Sequence, residues 1–224
     1  MQANVFTHIL LLLFVGVLFY KIGHGIVRQI KRQKRPNWLV GVSGLVVIIG
    51  ASGFFAILLV STGTIPLPNS FEWPAGDVRG VVETSDGKYL VPLVPVGRLQ
   101  IYDSSWRFLR GWQVDNNGGS FTVDYSPDNE IFVSTSRVQH RYGSVDEARR
   151  YVFTENGKLI SELIPNSSGV AESGEYISVP TWRLLWIFSS PFLSGGFALI
   201  GILGLWAAEK LYGNKTETGT NQSV

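Results

Sequence analysis

Apolar and polar residues are patterned on two scales along this chain. On the long scale, three stretches carry no Asp, Glu, Lys or Arg: Met1 to Tyr20, Trp38 to Ser61 and Leu184 to Ala208. A helix of about 20 apolar residues crosses the hydrocarbon core of a bilayer, so each stretch predicts a transmembrane helix. The first is expected as a retained helix from Val5 to near Val27, because no positive n-region or small-residue cleavage site precedes Lys21. Pro191 predicts a kink near the start of the third. On the short scale, Asp77 to Ile164 is a series of brief runs rich in Val, Ile, Tyr, Phe and Trp. Turn signals break them: Asp86-Gly87, Asn117-Gly118-Gly119, Pro127-Asp128-Asn129 and Glu155-Asn156-Gly157. That pattern predicts strands and hairpins.

The chain therefore divides into a first helix with a basic connector (1–37), a second helix (38–61), a β-domain with its linkers (62–181), a third helix (182–208) and a tail (209–224). Charge sets the expected orientation. Lys21, Arg28, Lys31, Arg32, Lys34 and Arg35 follow one another without an acid between them. Short Lys/Arg-rich connectors stay on the cytoplasmic side. The N-terminus is then outside, the β-domain periplasmic or extracellular, and the C-terminus cytoplasmic, in an inner or plasma membrane. The six cations are expected to face anionic lipid head-groups. Ile22, Ile26, Val27 and Ile30 share the helical face opposite them. Beside spans, the Lys31–Pro36 run reads as a topology determinant rather than a nuclear address. Trp38, Trp182, Trp186 and Trp206 fall at interfacial positions. Acids outnumber bases between Thr64 and Thr181, which gives no footing for nucleic-acid binding.

The β-segment resembles itself. Ser85-Asp86-Gly87-Lys88-Tyr89-Leu90-Val91 matches Pro127-Asp128-Asn129-Glu130-Ile131-Phe132-Val133 at a shift of 42, and Ile101 to Leu109 matches Val152 to Ile160 at a shift of 51. The extra residues of the second copy lie around His140 to Ala148. A four-stranded repeat of about 40 to 50 residues has the spacing of propeller blades. Gly80-Val81-Val82, Asp86 to Val91, Gly97-Arg98-Leu99-Gln100-Ile101-Tyr102-Asp103 and Phe108-Leu109 together resemble one NHL-type β-propeller blade. The second copy departs from that pattern, with Asn129 in place of the turn glycine and Tyr151 in place of the glutamine. The expected fold is a membrane protein with three transmembrane α-helices and an extracytoplasmic all-β domain of two blade-like antiparallel sheets, over about 78–113 and 120–164. Two blades do not close a propeller, so they either face each other as a sandwich or complete a larger assembly.

Candidate chemistry is sparse. With no cysteine, disulfides, thiolate metal sites and cysteine nucleophiles are excluded. His8 reads as a head-group imidazole and His140 as a loop histidine. Asp124, Asp128 and Glu130 cluster without calcium-loop spacing. Trp106, Phe108, Trp112 and Phe121 read first as core. Asn166-Ser167-Ser168 is a glycosylation sequon. The spans lack the acidic and basic side chains of ion pathways. Partner-binding candidates are Arg137, Arg141, Arg149 and Arg150 near the insertion, and the small residues Ser190, Ser194 and Ala198 on the third span. No catalytic residue, metal ligand or cofactor is expected. The expected function is a non-catalytic accessory or scaffolding subunit that binds other membrane-protein subunits. The alternative is a membrane-anchored receptor or sensor with a small ligand on its β-domain.

Overall fold

A computed structural model describes residues 5–32, 38–116, 119–136, 149–163, 175–181 and 183–213. The chain forms two compact units, one of residues 1–56 with 191–224 and one of 57–190. The first is helical and the second is built on antiparallel sheets, the mixture that the patterning predicts.

Helix α1 covers Val5–Arg32, α2 Trp38–Ser61 and α3 Pro191–Gly213. Of these, α2 and the stretch Pro191–Leu211 of α3 are long and apolar enough to cross a membrane. The first helix runs past its expected end near Val27 to Arg32. Arg, Gln and Lys are good helix formers, so Arg28, Lys31 and Arg32 lengthen the helix instead of forming a loop. Lys34 and Arg35 lie outside the described residues. Pro191 does not kink α3 but begins it. A first-turn residue needs no N–H partner, and proline's fixed φ suits that place. The preceding Arg183–Phe188 forms a 3-10 turn instead.

Small residues set the α2–α3 contact. A Cβ built on Gly50 would lie 2.7 Å from the Ser194 carbonyl oxygen, and one on Gly201 would lie 2.7 Å from the Val47 amide nitrogen. Glycine is what permits backbones this close. On α1, Phe19 meets Phe55 of α2 edge to face at 5.8 Å, and Ile26 lies against Gly44. Val42, Leu45 and Ile48 of α2 and Leu199, Ile200 and Leu203 of α3 are exposed.

The β-unit contains β1 Asp77–Arg79, β2 Val82–Glu83, β3 Tyr89–Leu93, β4 Arg98–Tyr102, β5 Phe108–Gln113, β6 Phe121–Tyr125, β7 Glu130–Thr135, β8 Arg149–Thr154, β9 Leu159–Leu163 and β10 Tyr176–Ser178. Strands β2 to β5 make one antiparallel meander in sequence order, and β6 to β9 make a second. Their facing sides share one core. Leu90, Leu99, Ile101 and Trp112 come from the first sheet; Phe121, Val123, Ile131, Val133, Tyr151 and Phe153 come from the second. Trp112 and Phe121 thus pack as core, whereas Trp106 and Phe108 join Tyr89 and Tyr102 in a separate aromatic group.

Four turns share one design, at residues 84–88, 103–107, 126–130 and 154–158. In each, the first residue's N–H donates to the fifth residue's carbonyl, and the fourth residue's N–H donates back to the first residue's carbonyl. The fourth position is left-handed every time, with φ of 76° at Gly87, 60° at Trp106, 62° at Asn129 and 75° at Gly157. Asparagine tolerates this region; for tryptophan it is an outlier that costs about 1–3 kcal/mol. Stacking of Trp106 on Tyr89, 4.3 Å between centroids and 6° from parallel, offsets that strain.

Strand β10 falls in the stretch Pro165 to Val179, whose polar, Gly- and Ser-containing composition predicts a loose exit. It pairs antiparallel with β1, Val78 opposite Ile177. Three residues are too few to show a period, and the partner lies nearly the whole β-unit away in sequence.

Gly87 and Gly157 offer a matched test of strain against space. A Cβ on Gly87 would meet nothing closer than Ser104 at 4.0 Å, whereas one on Gly157 would lie 2.7 Å from the Trp112 ring. Gly87→Ala is expected to cost about 1–2 kcal/mol from backbone strain alone. Gly157→Ala should cost about 1–3 kcal/mol beyond that, because it also overpacks the core. Thermal unfolding of the two purified variants, followed by tryptophan fluorescence, measures the difference.

Candidate functional site

Every residue of β4 is buried, and the reason lies on the side of the sheet away from the core. Leu99 and Ile101 point into the core, so the pleat turns Arg98, Gln100 and Tyr102 to the opposite face. A strap of chain, residues 64–76, covers them there. Arg98 Nη2 donates to the carbonyls of Pro68 at 2.9 Å, Phe71 at 2.8 Å and Gly111 at 3.1 Å. The Gln100 side chain acts as a peptide group would: its Oε1 accepts from Trp73 N at 2.6 Å and its Nε2 donates to Trp73 O at 2.9 Å. Gln100 Nε2 also donates to the Tyr102 hydroxyl at 2.9 Å. That hydroxyl donates in turn to Glu72 Oε1 at 3.1 Å. Gly111 N donates to Asn69 O at 2.9 Å, and lacking a side chain it leaves room for the guanidinium to lie across it. A Cβ there would be 3.1 Å from Arg98 Nε.

The electrostatics follow from burial. Desolvation pulls the Arg98 guanidinium below its ordinary value, and the neighbouring Tyr102 opposes this. Its Nε and Nη1 have no partner among the described residues. Burial pushes the Tyr102 phenol far above the usual tyrosine range, and the Glu72 carboxylate adds to the effect.

The strap also ties the unit together at its ends. Trp73 Nε1 donates to Phe188 O at 2.9 Å, and Val179 N donates to Gly76 O at 3.0 Å. Gln113 Nε2 donates to Val60 O at the end of α2, 3.2 Å away, and to Val96 O at 2.6 Å. Between the sheets, Lys88 Nζ meets Asp86 Oδ2 at 2.6 Å and Glu155 Oε2 at 3.0 Å. Hydrogen bonding to Lys88 holds the Asp86 carboxyl below its usual value.

Strand β9 lies at the edge of the second sheet, and among the described residues no segment covers it as the strap covers β4. Leu159, Ile160 and Leu163 are 47%, 51% and 49% exposed. Nearby, Arg149 forms an ion pair with Glu162. Burial works against the charged guanidinium, but the bond to Glu162 outweighs it and holds the value above normal. Arg150 lies over Phe132, 4.3 Å from the ring centroid. Of the partner-binding candidates, Arg149 and Arg150 therefore sit on β8 beside this edge, while Arg137 and Arg141 lie outside the described residues. Ser194 and Ala198 lie against Gly50 inside the helical unit. Ser190 precedes α3 and is half-buried. Lys21 and Arg28 are exposed on α1. Lys31 and Arg32 end that helix. His8 lies in α1, while His140 and Asn166 are outside the described residues. Among the described residues, no three His, Cys, Asp or Glu side chains gather as a metal site.

Patterning alone hides the Arg98–Gln100–Tyr102 ladder. Polar residues alternating with apolar ones on a strand read as a solvated face. Its sequence signal is the strap's apolar content, Phe71 and Trp73, 27 residues ahead of the side chains that bind it.

Two variants test this clasp. Arg98→Met removes charge-assisted hydrogen bonds to three carbonyls, each worth about 1.5–3 kcal/mol, so the loss in unfolding free energy should be at least ~3 kcal/mol. In the wild type, the raised Tyr102 value contributes stability that is whole below the unfolded-chain value near pH 10 and declines as pH rises beyond it, because the unfolded phenol ionises first. Tyr102→Phe should flatten that alkaline decline, as read from melting temperatures across the alkaline range. Comparison with known proteins finds no family model and no curated protein that matches this chain.

Proposed function

We propose that this chain is a non-catalytic accessory or scaffolding subunit of a larger membrane complex. On this reading all three helices span the bilayer. The basic end of α1 lies at the cytoplasmic face, and the β-unit is exported. Two long apolar helices support the placement, together with the run of cations between Lys21 and Arg35. Gly50, Ser194 and Ala198 are occupied within the chain. The helix faces left for partner spans are those that carry Leu45, Ile48, Ile200 and Leu203.

The observation that carries the proposal is the edge of β9. Natural edge strands are blunted by Pro, Lys, inward charges or a covering segment. Leu159-Ile160-Ser161-Glu162-Leu163 has neither Pro nor Lys, and no described strand pairs with its outer side. A strand from another subunit can add there, with main-chain bonds for affinity and aliphatic side chains for fit. The partner then completes what two NHL-like blades leave open.

Purification in mild detergent and mass spectrometry of the bound chains tests this. The wild type should carry a stoichiometric partner, and Ile160→Lys with Leu163→Lys should release it while the β-unit keeps its melting temperature. A wild type that runs as a lone monomer, or a partner retained by the double variant, would count against the proposal.

A further inference from the structure

The two ends of the β-unit differ in what they join. At one end stand the four turns. They expose Asp86, Ser105, Arg107, Asp128, Asn156 and Lys158, and the Lys88–Glu155 ion pair joins the sheets there. Strand β4 leads away from this end, from Tyr102 beside the 103–107 turn back to Arg98, which pairs with Gln113. Gln113 in turn holds Val60, at the end of α2. The opposite end of the unit is thus the end where α2 enters it.

That end exposes apolar side chains. Ile65 is 41% exposed and Phe71 is 43% exposed, both on the strap. Leu185 is 41% exposed on the 3-10 turn Arg183–Phe188. They are held, not loose. The Ile65 N–H donates to Leu59 O at 3.1 Å. Arg98 grips the Phe71 carbonyl. Phe71 lies 6.3 Å from Trp73, whose indole N–H bonds Phe188 at the end of the 3-10 turn. The carboxylate next to Phe71, that of Glu72, is turned to the Tyr102 hydroxyl.

We infer that Ile65, Phe71 and Leu185 form a lipid-docking face that seats the β-unit on the bilayer surface. The occupant follows from continuity: Ile65 is bonded to Leu59, and Gln113 to Val60, in the end of an apolar helix long enough to cross a membrane, and Leu185 lies six residues before the start of a second such helix at Pro191. Exposed apolar groups beside such a helix meet the head-group boundary before any soluble partner. The clasp gives this face its rigidity, because the bonds that bury Arg98 fix the backbone carrying Phe71. The inference rests on the membrane reading above and goes beyond it, since a span alone leaves its exported domain free to stand off the surface.

The cysteine-free chain allows a direct test. Spin labels are placed singly at Phe71→Cys, Leu185→Cys, Ser105→Cys and Leu45→Cys in the full chain, reconstituted into phosphatidylcholine vesicles. Collision with oxygen, which partitions into lipid, is compared with collision with a water-soluble nickel chelate. Labels at 71 and 185 should show a higher oxygen-to-nickel ratio than the label at 105, and the label at 45 in α2 should show the highest. If 71 and 185 match 105 while 45 reads lipid, the docking face is wrong and the membrane reading survives. If 45 also reads water, both are wrong. Ile65→Cys serves as a second probe should Phe71→Cys lower the melting temperature.

Discussion

One buried arginine organises the β-unit. A strap of irregular backbone lying on a sheet brings carbonyls that no strand ladder satisfies, and leaving them unpaired in a dry interface is expensive. Arg98 Nη2 meets two of these needs, at Pro68 and Phe71, and also bonds the Gly111 carbonyl on β5. Gln100 then supplies the amide that a neighbouring strand would have supplied to Trp73. The consequence is a central strand without an exposed residue. Lysine would not replace the arginine: its compact ammonium does not spread donors across a flat fork, and it gives up its proton more readily when desolvated.

Among the described residues, the first sheet carries such a clasp and the second does not. They share strand order, turn design and a common core. In the first, the outer face is sealed by a segment of the same chain. In the second, the third strand carries Arg149 and Arg150 where the first carries Arg98, but these arginines engage Glu162 and Phe132 on a partly solvated surface. One sheet is therefore committed to internal cohesion, while the edge of the other keeps its aliphatic side chains exposed. Shared topology with unequal cover makes the two repeats unlike: one is clasped by its own chain and the other keeps an aliphatic edge exposed.

Much of the architecture was legible in residue patterning. Long uncharged runs mark α2 and the body of α3, because an apolar stretch of that length has the composition of a long helix. Asp86-Gly87, Asp128-Asn129 and Asn156-Gly157 mark three of the four recurring turns, since left-handed backbone favours Gly and Asn. Asp103-Ser104-Ser105-Trp106 escapes notice by itself, and only its correspondence with Thr154 to Gly157 reveals it. Helix ends are not legible where chemistry permits either outcome: basic residues prolong α1, and Pro191 starts a helix as readily as it bends one. Strand β10 and the Arg98 clasp depend on residues far apart in sequence, and local periodicity carries no information about such meetings. For the candidate contact surface, β9 was readable as a strand, but its position at a sheet edge was not.

Because β1 and β10 run side by side, the β-unit departs from and returns to the rest of the polypeptide at one doorway. A module with adjoining ends is a self-contained graft. A single event in the gene can move it, provided it takes along the last residues of α2, Ile57–Ser61, which it holds through Gln113 and Ile65. Substitutions on the two sides of that junction can then accumulate independently, each side constrained by its own packing.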